Sequence, residues 1–73
     1  MTPNIANRAI AAFTQEIRNR LDDAVKAAQA AEACANSGVP DQAVMLLLDI
    51  EQPIYEATTL LNAVSLIHRI QRE

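Results

Sequence analysis

Glycine, cysteine, histidine and aromatic residues are nearly missing from this chain. Gly38 is the only glycine, Cys34 the only cysteine and Phe13 and Tyr55 the only aromatics, and tryptophan is absent. A single glycine leaves no glycine-rich loop to cradle a phosphate, so nucleotide binding is not expected. A single cysteine permits no internal disulfide and no Cys/His metal cluster, and Cys34, in an alanine-rich run, reads as a small buried thiol. With two aromatics there is no stacking platform for bases, which argues against sequence-specific reading of nucleic acid. The formal net charge of -3 argues against broad phosphate binding. No uninterrupted apolar run approaches the roughly 20 residues of a membrane span. Met-Thr-Pro-Asn at the N-terminus is neither basic nor apolar like a leader, and the expected location is cytoplasmic.

What is present is an excess of small and aliphatic residues. Hydrophobic residues make up 51% of 73, nearly all of them Ala, Leu, Ile and Val, a composition suited to packing helices. The length allows one domain with a thin core. Only one segment, Asn36-Ser37-Gly38-Val39-Pro40-Asp41, has turn chemistry, and a long helical rhythm flanks it on each side. The expected fold is therefore all-α, an antiparallel two-helix hairpin over residues 1–73. Helix 1 is expected at about 3–36, the turn at 37–40 and helix 2 at about 41–72.

Thr2 and Pro3 form a good helix start, cap and first helical residue. The inward stripe of helix 1 is read as Ile10, Phe13, Ile17, Leu21, Ala24, Ala28, Ala31 and Ala35. Gly38 suits the left-handed residue ending this helix, with Val39 packing back on it. Pro40 and Asp41 start the next helix, Asp41 as cap or as a first-turn acid favoured by the dipole. In helix 2, Ala43, Ile50, Ala57 and Val64 are read as one core column and Leu47, Ile54, Leu61 and His68 as the other. Leu46, Leu60 and Ile67 form a further column on a stripe too wide for one partner helix. Pro53 removes a backbone bond and clashes with the carbonyl of Asp49. Because the heptad phase runs unbroken from Ala43 to Val64, a bent continuous helix is expected there. A full break with Pro53 opening a third helix is the alternative.

Catalytic chemistry is poorly supported. Cys34 lies beside the turn and His68 near the opposite end of the hairpin, so they do not meet within one chain, and His68 reads as a core or cap residue. Asp49, Glu51 and Glu56 lack the histidine spacing of a bundle metal site and read as a solvated acidic face. No cofactor is expected, nor any small-molecule substrate. Folding at Gly38 should bring Arg20 close to Glu56 and gather Arg8, His68, Arg69 and Arg72 at the open end. That basic tip could touch RNA or an acidic protein, although Arg69 and Arg72 also complement the negative end of the helix dipole.

Arg18-Asn19-Arg20-Leu21, the Gly38-Val39-Pro40-Asp41-Gln42 turn and Leu46-Leu47-Leu48-Asp49-Ile50-Glu51-Gln52 together resemble the small co-chaperones of type III secretion systems. Those are helical hairpins that help keep the needle subunit unpolymerised. Pro53 departs from that pattern. The resemblance implies docking on a larger helical-repeat chaperone through Leu46, Leu60 and Ile67, with Leu48 and Tyr55 beside them. Asn62-Ala63-Val64-Ser65 is similar to the second helix of the needle subunits themselves, so a self-assembling needle-like or rod-like subunit is an alternative. A dimeric RNA-binding hairpin matches in architecture alone. The expectation is a non-enzymatic interaction module, a co-chaperone or inhibitor, whose open face is covered by a homodimer partner in a four-helix bundle or by another protein.

Overall fold

In a computed structural model, which describes residues 3–72, the chain is all-helical. Helix α1 spans Pro3–Asn36, α2 Pro40–Leu48 and α3 Glu51–Arg72. Thr2 and its capping role lie outside the described residues. The molecule is a rod of 54 × 14 × 12 Å, about the length of a 34-residue helix at 1.5 Å per residue. α1 packs against both α2 and α3. Gln71 Nε2 donates to Asn7 Oδ1 at 3.4 Å and Arg20 Nε lies 3.4 Å from Glu56 Oε1, so α1 and α3 run side by side in opposite directions.

The turn is set by local chemistry. Val39 N–H donates to the Cys34 carbonyl at 2.9 Å and Gly38 N–H to that of Ala35 at 3.2 Å, the paired bonds of a Schellman motif. Gly38 has φ +82, a conformation that costs a residue with a Cβ about 1–2 kcal/mol. A Cβ there would meet nothing within 4 Å, so the penalty is backbone strain alone. Gly38→Ala is therefore expected to lose about 1 kcal/mol in denaturant unfolding, and Gly38→Asn less. Equal losses for the two variants would show that the left-handed turn does not decide the stability. Pro40 then supplies a first helical residue, and Asp41 is a first-turn acid without a side-chain capping bond.

The bend expected at Pro53 is present, and it falls at Asp49 and Ile50, just ahead of the proline. α2 ends at Leu48, and the chain bends through Asp49 and Ile50 before α3 begins. Asp49 N–H donates to Leu46 O at 3.2 Å and Ile50 N–H to Leu47 O at 3.1 Å, tightened i to i−3 bonds. Ile54 N–H donates to Ile50 O at 3.2 Å, which opens the next helix. Pro53 thus occupies the first turn of α3, where no backbone donor is needed.

The core is narrow and its side chains are small. Ala6, Ala24, Ala31, Ala43 and Ala57 are buried, and among the described residues no large side chain is fully enclosed. In α1 the seam residues, all shielded, follow a heptad alternation: Ala6, Ile10, Phe13, Ile17, Arg20, Ala24, Ala27, Ala31, Cys34, with Ala9 and Glu16 half-buried beside them. In α2 and α3 they are Ala43, Leu46, Ile50, Pro53, Ala57, Leu60, Val64 and Ile67, in phase across the bend. Steps of three and four residues averaging 3.5 keep a seam facing one partner along its whole length. Two expected columns are corrected by this pattern. Leu21, Ala28 and Ala35 are exposed, and Arg20, Ala27 and Cys34 take their places in α1. In the second half, Leu46, Leu60 and Ile67 are half-buried seam residues, whereas Leu47, Ile54, Leu61 and His68 are exposed.

Candidate docking surface

The seam divides the antiparallel pair into two unlike flanks. On an antiparallel pair of heptad helices, the residues just after one seam column face each other along one side, and those just before the other face each other along the opposite side.

The first flank carries Leu21, Ala28 and Ala35 of α1 and Leu47, Ile54 and Leu61 of the returning chain, with Thr14 and His68 toward the open end. Every one of these residues is exposed. Leu47 at 49%, Ile54 at 48% and Leu61 at 55% present about half their surface to solvent. The Thr14 hydroxyl donates to its own helix at the Ile10 carbonyl, 2.7 Å away, which occupies its one donor. At mid-length the flank is indented by a groove of about 220 Å³ lined by Ile17, Leu21, Ile54, Ala57, Thr58 and Leu61. No charged side chain lines it. Exposed aliphatic surface of this continuity marks an interaction site more often than an isolated exposed leucine does.

The opposite flank is polar and partly closed. Ala9, Glu16, Glu56 and Ala63 on it are half-buried, while Asp23 and Asp49 are exposed. Arg20, at a seam position, reaches Glu16 at 3.2 Å on its own helix and Glu56 at 3.4 Å across the seam. Its stem lies along the apolar seam while its guanidinium spans the two helices. A charge at a seam position constrains register, because only some alignments supply its carboxylate. A shallow cleft of about 330 Å³ beside this pair is lined by Arg20, Gln52, Tyr55, Glu56, Thr59 and Leu60. The Arg20–Glu56 proximity is the one expected from folding at Gly38. The reversal of the core columns was missed because apolar residues occupy both candidate seams of the second half; Arg20 in α1 carried the signal, since its ion pairs fix which face turns inward.

The residues proposed from the sequence separate accordingly. Leu46, Leu60 and Ile67 are half-buried in the seam and are not an outward column. Leu48 and Tyr55 are exposed on the outer face, at 58% and 67%. Arg8, His68, Arg69 and Arg72 are exposed at the end where Asn7 meets Gln71. By heptad position Arg8 and Arg69 sit on the outward backs of α1 and α3, so the four surround the end of the rod and do not share one patch. Cys34 is half-shielded in the last turn of α1, remote from His68. Among the described residues no group of three His, Cys, Asp or Glu side chains is placed to hold a metal ion, and no helix is long and apolar enough to cross a membrane. Asp49 and Glu51 are solvent-exposed, and Glu56 is held by Arg20. No family model, curated protein or solved structure matches this chain.

Proposed function

We propose that the protein is a non-enzymatic, cytoplasmic protein-interaction module, a helical hairpin that docks through the flank carrying Leu21, Leu47, Ile54 and Leu61. A co-chaperone or inhibitor that lends this flank to a larger helical protein is the specific form of this reading. The observation that carries it is the exposed aliphatic ladder interleaved from both halves of the chain, with an uncharged groove at its centre. Aliphatic surface turned to water is removed from it at roughly 25 cal/mol per Å² when a partner helix covers it. A partner helix laid along the rod would present residues at i, i+3, i+4 and i+7 to such a ladder. No acidic residue stands in the ladder or lines the groove at its centre, so a helix seated there covers no carboxylate. The docking residues are thus the neighbours of the column Leu46, Leu60 and Ile67, one position along the helix.

The test uses a synthetic amphipathic helix with leucine heptads and sedimentation velocity on the chain alone and mixed with that peptide. Leu21→Lys combined with Ile54→Lys is expected to abolish association in both samples, while Met45→Lys combined with Tyr55→Lys on the outer faces retains it. Association that survives the first pair of substitutions and fails with the second would refute the flank as the docking surface.

A further inference from the structure

We infer that the occupant of the Leu21–Leu47–Ile54–Leu61 flank is a second copy of this chain, the two hairpins meeting flank to flank about a two-fold axis as a four-helix bundle. This inference rests on the docking reading of that flank and, in place of the larger helical protein, puts a second copy on it.

The first argument is area. The chain exposes 5484 Å², whereas a folded monomer of 8.0 kDa is expected to expose about 4,450 Å². The excess of about 1,000 Å² is of the size that one partner contributes to a standard stable interface, roughly 800 Å². A rod of 54 × 14 × 12 Å exposes more than a compact body of its mass, and packing two such rods side by side removes surface of that order from each. The core points the same way, since the five buried residues among those described are all alanines. The leucines and isoleucines of the seam are only half-buried, and Leu21, Leu47, Ile54 and Leu61 stand exposed on the flank. In four-helix bundles each helix buries the two seam columns and the column beside them, a stripe wider than a two-helix contact needs.

The second argument is charge. Two copies, each with a net charge of -3, repel wherever their acids come together. The flank with Glu16, Asp23, Asp49 and Glu56 is closed to self-association for that reason. The aliphatic flank carries no acid, and its charges toward the open end are limited to what His68 brings. An isologous contact requires a surface compatible with itself, and an uncharged aliphatic ladder contributed by both helices meets that requirement. Packing two such flanks buries Leu21, Ile54 and Leu61 against their counterparts, while the seam and the Arg20 ion pairs stay as they are.

Light scattering coupled to size-exclusion chromatography tests this across a concentration series of the full chain. The expected result is a species of about 16 kDa, twice the 8.0 kDa chain. Leu61→Lys should shift it to the monomer mass at the same concentration, and Tyr55→Lys should leave it a dimer. Far-UV circular dichroism of each variant separates lost association from lost folding. If Leu61→Lys unfolds, the milder Leu61→Ser is expected to raise the dissociation constant at least tenfold. A wild-type chain that stays monomeric to millimolar concentration, yet binds the leucine-heptad peptide through this flank, overturns the second copy and leaves the docking reading standing. A dimer that survives Leu61→Lys and is lost in Tyr55→Lys overturns both.

Discussion

Replacing Ala31 by leucine is expected to lower the melting temperature by roughly 10–20 °C, the largest effect of any single apolar exchange in the seam. Ala31 is only 2% exposed, and its neighbours along the seam are the methyl groups of Ala24 and Ala27 and the small thiol of Cys34. Side chains this short let two backbones approach closely, and a leucine at one of these positions forces the helices apart. Overpacking of this kind costs about 1–3 kcal/mol. In a domain of 60–100 residues each kcal/mol moves the melting temperature by about 4–8 °C. The same exchange at Ala28, which is exposed and one residue from the seam, is expected to be neutral or slightly stabilising in the dissociated chain, since leucine and alanine are both strong helix formers. Thermal melts of the two variants side by side give the answer. Equal losses at Ala31 and Ala28 would mean that the seam does not run through Ala24, Ala31 and Cys34.

Leu60→Ala and Leu61→Ala form the second contrast. They delete the same atoms from adjacent positions of one helix. Leu60 is half-buried in the seam, while Leu61 is 55% exposed. Fully buried leucines lose about 2–5 kcal/mol on truncation to alanine, and a half-buried one is expected to lose about 1–2. Leu60→Ala should therefore reduce stability at every protein concentration. Leu61→Ala should stay within about 0.5 kcal/mol in the dissociated chain, as surface substitutions do. If a second copy covers Leu61, its loss grows as concentration rises, because association adds to the stability of the folded state by mass action. Urea unfolding at low-micromolar and at submillimolar concentration separates the two behaviours. Losses for Leu61→Ala that match those of Leu60→Ala at the lowest concentration would reverse the assignment of seam and flank.

Much of the architecture can be read along the chain because it is local. The start of α2 at Pro40 and the end of α1 before Gly38 follow from backbone preferences of one or two residues, and they stand as expected. So does the approach of Arg20 to Glu56, which follows from chain length on either side of the turn. The bend near Pro53 was legible, but its place at Asp49–Ile50, ahead of the proline, was not. Pro53 forbids one hydrogen bond, but the same missing donor is tolerated equally by a kinked helix and by the first turn of a new one. The choice lies in how Asp49 and Ile50 tighten their bonds.

The sequence by itself determined that this chain is helical, that it turns at Gly38, and that its two halves carry more apolar surface than one helix contact can hide. Each of those properties is set within a few residues, by propensity, by a left-handed glycine, or by the count of aliphatic side chains. Only the tertiary structure decided which apolar column faces inward. Ala43, Ile50, Ala57 and Val64 make an equally good stripe with Leu46, Leu60 and Ile67 or with Leu47, Ile54 and Leu61, since a helical face of about 100° accommodates either neighbour. Rotation of the helix by one position is fixed by what the opposite helix offers. α1 offers alanines and an arginine whose carboxylate partner, Glu56, lies on the other side of the seam from Leu61. That pairing turns Leu60 inward and leaves Leu61 and Ile54 facing out.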